Sequence, residues 1–240
     1  PVKMSASKEL TFENIAVECR MKKGINVAGI VDCASPRVYE DMQSLMDKGE
    51  MVPLKKGGIL YRDDLCIIPG AEIETVEKNG CVGHSISFFR DMEAIKKFSD
   101  TMKKYIKNIN LSSQRAYLSA RELFDIVVGH GGVFIPAHCF SPHKSYYGNC
   151  TDRLVKLFGA ERLEKIVAIE LGLSADSELA DMISELRDKT FISNSDAHSL
   201  SKIAREYNMM LLEELNFEEV VKALKRENGR RAIANYGLDP

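Results

Sequence analysis

Hydrophobic and polar positions switch repeatedly between a helical period and short apolar runs, dividing the chain into helices and strands almost from end to end. FENIAVECRMKK has helical spacing, with Thr11 before it as N-cap, Glu13 in its first turn and Gly24 as its stop. INVAGIVD at 25–32 is β-branched and apolar on both faces, as a strand covered on both sides should be. A helix VYEDMQSLMDKGE follows, then strands at 66–74 and 81–89 joined by a turn at Asn79-Gly80. A long helix spans about 91–108, and the helix ARELFDIVVGHGG hands over to a strand at 133–138. Next come helix TDRLVKLFG, a strand at 166–172, helix DSELADMISELRD and a strand at 190–198. The remainder reads as a short helix near 200–207, an apolar MMLL stretch and a last helix NFEEVVKALKREN.

Strands alternating with helices predict parallel βαβ units. About seven strands with helices between them suit a (β/α) barrel, distorted or incomplete. No G-x-G-x-x-G follows the first strand, so no dinucleotide-binding sheet and no nucleotide cofactor are expected. With no repeat, Pro-rich linker or low-complexity tract, residues 1–240 read as one domain.

In such a barrel the strand C-termini open on one face, and residues with metal-binding chemistry gather there. Asp32 ends the first visible strand, Glu72 and Glu74 end the second, and His84 lies in the third. His138 ends VFIPAH, Glu170 lies near the end of IVAIELG, and Asp196 and His198 end TFISNSDAH. Residues two apart on a strand share a face, so Asp196 can join His198, and Glu72 can join Glu74, at one site. Carboxylates with imidazoles give mixed oxygen and nitrogen ligation suited to zinc, manganese or iron. Taken singly, His84 also reads as a hydrogen-bonded structural histidine, Glu72 and Glu74 as solvent-facing hairpin residues, and Asp32 as a helix N-cap. The S-D-A-H group is harder to read as packing, because burying either charged group alone is costly. Ser195 lacks a nucleophile-elbow G-x-S-x-G, Cys139 points away from His138, and His130 belongs to a helix-to-strand turn. Lys96, Lys97, Lys103, Lys104 and Lys107 form a solvated helix face.

Composition narrows the function classes. Lys plus Arg number 33 and Asp plus Glu 35, a net charge of −2, so nucleic acid requires a local patch rather than a general field. No apolar run approaches the roughly 20 residues that span a bilayer, and no membrane association is expected. The six cysteines form no C-x-x-C pair and read as reduced, buried thiols of a cytoplasmic protein. The chain begins at Pro1 without an initiator methionine, which suggests a piece of something longer.

P-G-A-E-I at 69–73, I-P-A-H at 135–138 and S-D-A-H at 195–198 resemble the later motifs of the PHP family of metal-dependent phosphoesterases. Within it, PAHCFSPHKSYYGNCTDRL (136–154), ELGLSADSELAD (170–181) and NSDAHSLSKIAREYN (194–208) resemble the endonuclease Q group specifically. The resemblance covers nearly the whole chain. It implies a distorted seven-stranded TIM-like barrel with two or three divalent ions (zinc, manganese or magnesium) at its C-terminal face. By matching motif, Glu72 bridges metals, His84, His138, Asp196 and His198 are ligands, and Asp32, Glu72 and Asp196 carry catalysis. Asp32 matches the aspartate of the family's T-D-H, but Cys33 stands in the histidine position. The family's H-x-H pair is absent from this chain; residues 1–10 resemble the stretch just after it, so Pro1 is expected to mark a truncation. The cysteine-rich zinc module and helical region of the group are expected beyond Pro240.

The implied activity is metal-dependent nicking of DNA at deaminated bases or abasic sites, with damaged DNA as partner of the full-length protein and the lesion turned out of the stack. His143, Lys144 and Ser145, after the ligand His138, are the candidate substrate-binding residues, although a packed βα loop explains them equally well. The alternatives are a PHP-type phosphatase acting on a small phosphomonoester and a metal-depleted, non-catalytic PHP domain.

Overall fold

The computed structural model describes residues 6–237; the readings placed on Pro1 and Pro240 lie outside them. In chain order the strands are β1 (Val27–Ile30), β2 (Met51–Pro53), β3 (Ile59–Tyr61), β4 (Leu65–Val76), β5 (Val82–Phe88), β6 (Arg115–Ala116), β7 (Val133–Pro136), β8 (Ala168–Glu170), β9 (Thr190–Ile192), β10 (Tyr207–Leu211) and β11 (Arg231–Tyr236). The helices are α1 (Phe12–Glu18), α2 (Pro36–Asp47), α3 (Met92–Met102), α4 (Ala120–Gly129), α5 (Leu154–Phe158), α6 (Ala160–Lys165), α7 (Ser177–Asp181) and α8 (Phe217–Lys225).

The hub is β4, buried along nearly its whole length. Its first half pairs in parallel with β1 and antiparallel with β3; its second half pairs antiparallel with β5 and in parallel with β6. β7 continues the sheet beyond β5, again antiparallel. β8 and β9 form a separate parallel pair, and β10 and β11 an antiparallel one. The fold is therefore mixed α/β, and its ladders among the described residues make three sheets of mixed parallel and antiparallel pairs rather than an all-parallel array. The physical reason lies at residues 77–80. Gly80, at φ +82°, donates its N–H to the Glu77 carbonyl, closing a hairpin that reverses the chain where a crossover would have kept it parallel.

Helices cover the sheet through regularly spaced apolar faces. On α3, Met92, Ile95, Phe98 and Met102 are buried while Lys96 and Lys97 face solvent, as the spacing predicts. Asp91 caps this helix by accepting the Ala94 N–H, and α4 starts with a reciprocal capping box between Ser119 and Glu122. Phe89 packs on Phe98 at 4.6 Å, and Phe134 sits edge-on between Phe124 and Phe158. These rings lie in the main core between β4, β5, β7 and the covering helices.

Several elements depart from the sequence reading. The helix expected to reach residue 108 ends at Met102, and the one expected over DSELADMISELRD breaks into α7 and a 3-10 turn at Ser184–Leu186. The β2–β3 hairpin, β6 and β11 were not expected at all; β11 pairs with the apolar MMLL stretch as β10. The six-thiol expectation is corrected. Cys81 and Cys150 form a disulfide, whereas Cys19, Cys33, Cys66 and Cys139 are free and buried. Spacing carried no sign of this bond, because its partners lie 69 residues apart and meet only when the loop after β7 folds back on β5. No helix among the described residues is long and apolar enough to cross a membrane.

Candidate metal centre

Glu72 and Glu74 alternate onto one face of β4, and the antiparallel register sets His84 of β5 directly opposite Glu74 and diagonal to Glu72. The imidazole lies between the two carboxylates: Nε2 is 3.2 Å from Glu74 Oε2, and Nδ1 is 3.2 Å from Glu72 Oε1. His138, two residues past β7, brings its Nε2 to 3.1 Å from the same His84 Nδ1, with the rings edge-on. One carboxylate oxygen of Glu72 and one nitrogen from each histidine thus lie within 4.8 Å of one another. With Nε2 occupied by Glu74, His84 presents Nδ1 to this cluster, the carboxylate fixing the ring as carboxylates do behind metal-bound histidines.

His138 adopts φ +32°, a region costly for a residue with a Cβ. It is held there by Glu170, whose carboxylate accepts the His138 N–H and whose carbonyl accepts the Cys139 N–H. Gly172 completes the seat. At φ +76° it leaves open the space in which a Cβ would come within 2.7 Å of His138 Cβ. Burial first, and then the Glu72 and Asp196 carboxylates, push the Glu170 carboxyl up to about 8 against the His138 hydrogen bond that lowers it.

Beside the cluster lies a cleft of about 450 Å³, into which Glu72, His84, His138, His143, Lys144, Asp196 and His198 all face. Asp196 and His198 reach it differently from expectation. Their strand stops at Ile192, because the Asn208 side chain takes both the N–H and the carbonyl of Ser193, and residues 193–198 continue as an irregular segment. Asp196 adopts φ +39°, and its carbonyl oxygen lies 2.9 Å from His198 Nδ1. Both side chains are about two-fifths exposed and line the same cleft as the cluster.

Asp32 and Ser145 stand apart. Asp32 borders a neighbouring cavity of about 210 Å³ beside Arg37 and Asp41, and its carboxylate accepts the Ser112 hydroxyl. Ser113 donates to Glu72, so adjacent serines on one loop link the two carboxylates. Ser145 is fully buried; its hydroxyl donates to the Ser141 carbonyl and accepts the Gly148 N–H, which leaves nothing to offer a substrate. It acts instead as a brace for its loop, along with the Phe140–Tyr147 stack and the Tyr146 hydroxyl 2.6 Å from Ser85 Oγ. Ser112, Ser113 and Gln114 escaped the sequence reading. Their only signal was a polar S-S-Q-R run between two helices, which reads as an ordinary loop.

The donor set fits a divalent cation. Glu72 and Glu170 are both buried at the cluster, and the Glu72 charge disfavours ionised Glu170, a repulsion that a bound ion would offset. One carboxylate with two imidazoles matches the ligation of zinc and its first-row neighbours.

Comparison with known proteins gives four findings. Residues 176–228 match the family described as PHP-associated. The whole chain is 41% identical over 242 residues to the uncharacterized protein YqxK of Bacillus subtilis, of which it spans 61%. It superposes over its full length, at 30% identity and a TM-score of 0.87, on the lesion-specific endonuclease PfuEndoQ of Pyrococcus furiosus, covering 57% of that chain. An Endonuclease Q complex with a 27-mer duplex substrate bearing an abasic lesion at the active site matches with a TM-score of 0.86, also at 30% identity and 57% coverage. The chain thus spans about three-fifths of the curated relative's length and somewhat less of these two structures.

Proposed function

We propose that the chain is a PHP-family protein of the endonuclease Q group and that its cleft hydrolyses a phosphodiester of damaged DNA with the help of bound divalent ions. The observation that carries this reading is the convergence of Glu72, His84 and His138 on a cleft of about 450 Å³. In this reading residues 1–240 act as one distorted barrel-type unit of the PHP kind.

Glu72, His84 and His138 would hold the first ion, with Asp196 and His198 in the same cleft available to further ions. Such ions lower the pKa of water toward 7 and stabilise charge on phosphate oxygens. The chain's own contribution is positioning. Glu74 orients His84, Glu170 and Gly172 seat His138, and Ser113 fixes the Glu72 carboxylate. Asp32, whose carboxylate accepts the Ser112 hydroxyl, would act through that loop as a base rather than on substrate directly. His143 and Lys144, exposed beside the cleft, would meet the strand.

Incision of duplexes carrying deoxyuridine or an abasic site, by the full-length protein with manganese, magnesium or zinc, tests the proposal. Nicking abolished by chelation and by Asp196→Ala is the expected result. Hydrolysis of a small phosphomonoester with no incision under any of these metals would replace it with the phosphatase reading.

A further inference from the structure

We infer that Arg115 and Lys144, both anchored on the buried Glu74 carboxylate, form a two-cation clamp for a DNA phosphate flanking the one that reacts. The inference rests on the nuclease reading and adds to it the residues that grip the backbone.

Three segments distant in sequence converge here. Arg115 stands beside Glu74 in the parallel β4–β6 ladder, and its Nε donates to Glu74 Oε1. Lys144 comes from the loop after β7, with Nζ 3.0 Å from Glu74 Oε2. Its position is set from the backbone, because the Lys144 carbonyl accepts the His84 N–H. The third neighbour of Glu74 is His84 itself. One carboxylate therefore fixes two cations at a set offset from the metal-binding imidazole.

The pairing is asymmetric in exposure. The Glu74 side chain is 7% exposed, whereas those of Arg115 and Lys144 are 50% and 57% exposed. Two cations on one carboxylate leave this trio with a net positive charge, and its Lys144 lines the cleft. Only Nε of the Arg115 guanidinium is engaged among the described residues, so its outer N–H groups face outward in the planar fork that suits a phosphate. Here one buried anion orients two half-exposed cations. In a chain of net charge −2, this supplies the local patch that DNA binding demands.

The test is the salt dependence of affinity for a duplex with one abasic site, measured by fluorescence anisotropy on the full-length protein from about 50 to 200 mM salt. Arg115→Met and Lys144→Met are each expected to weaken binding and to lower the slope of log affinity against log salt by about one, and together by about two. Metal content should stay at the wild-type value, and Arg115→Lys should recover the slope. Wild-type slopes in both Met variants, against a salt-dependent wild type, would overturn the clamp and leave the nuclease reading standing. Loss of metal from either variant would also overturn it, by showing a structural role at the cluster. A wild-type protein with no salt-dependent affinity would overturn both.

Discussion

At the scale of single residues, the centre is built from side chains whose backbones are held in costly conformations. His138, Lys144 and Asp196 all have positive φ, and all three border the cleft. Such strain persists where surrounding contacts over-determine it, and here those contacts are identifiable: Glu170 and Gly172 for His138, the His84 N–H for Lys144. Gly172→Ala should therefore act on His138 rather than on the core. Metal per chain, measured by elemental mass spectrometry, should fall severalfold while the far-ultraviolet circular dichroism is unchanged. Unaltered metal content would show that Gly172 does not seat the histidine. His84→Ala is the sharper case, since it removes the nitrogen facing both Glu72 and His138; affinity for the first ion should drop by orders of magnitude.

At the scale of elements, two connections hold pieces that their own sequences would not. The Cys81–Cys150 bond ties the start of β5 to the end of the loop carrying His143 and Lys144. Closing 69 residues contributes up to about 4 kcal/mol by restricting the unfolded chain. Cys150→Ser should lower the urea midpoint under non-reducing conditions and leave it unchanged in dithiothreitol, where both proteins are reduced. The second connection is Glu219 on α8, buried and bonded to Arg230, Lys222 and the Glu213 N–H. The Arg230 guanidinium, then Lys222 and the backbone, hold its carboxyl down to about 2. A folded pKa below the unfolded value of about 4.3 gives stability that is present above pH 4.3 and lost as pH falls toward 2. Glu219→Gln should accordingly destabilise the protein at neutral pH, and the gap from wild type should narrow on acidification; a pH-independent gap would show that charge is not the cause.

At the scale of the whole molecule, the proposed metal centre draws on β4, β5, the loop after β7 and the segment after β9, so metal binding should report as global stability. The Glu170 carboxyl, raised to about 8 by burial, is protonated below that pH, and a cation arriving beside it must displace the proton. The rise in Tm on adding manganese or zinc should grow between about pH 6 and pH 9; a rise independent of pH would exclude this coupling. The sequence by itself determined what depends on near neighbours: the helices and most of the longer strands, the hairpin turn at Asn79-Gly80, and the shared face of Glu72 and Glu74. It also carried the motifs on which the proposed ligands lie. The tertiary structure decided what depends on pairing. The antiparallel course of β5 puts His84 between two carboxylates, Ser112 and Ser113 arrive from a distant loop, Ser145 turns inward while Lys144 faces the cleft, and Cys81 finds Cys150. Periodicity repeats every two or 3.6 residues and is written locally. Register and long-range partners are selected by packing among many possible pairings, and no spacing along the chain encodes them.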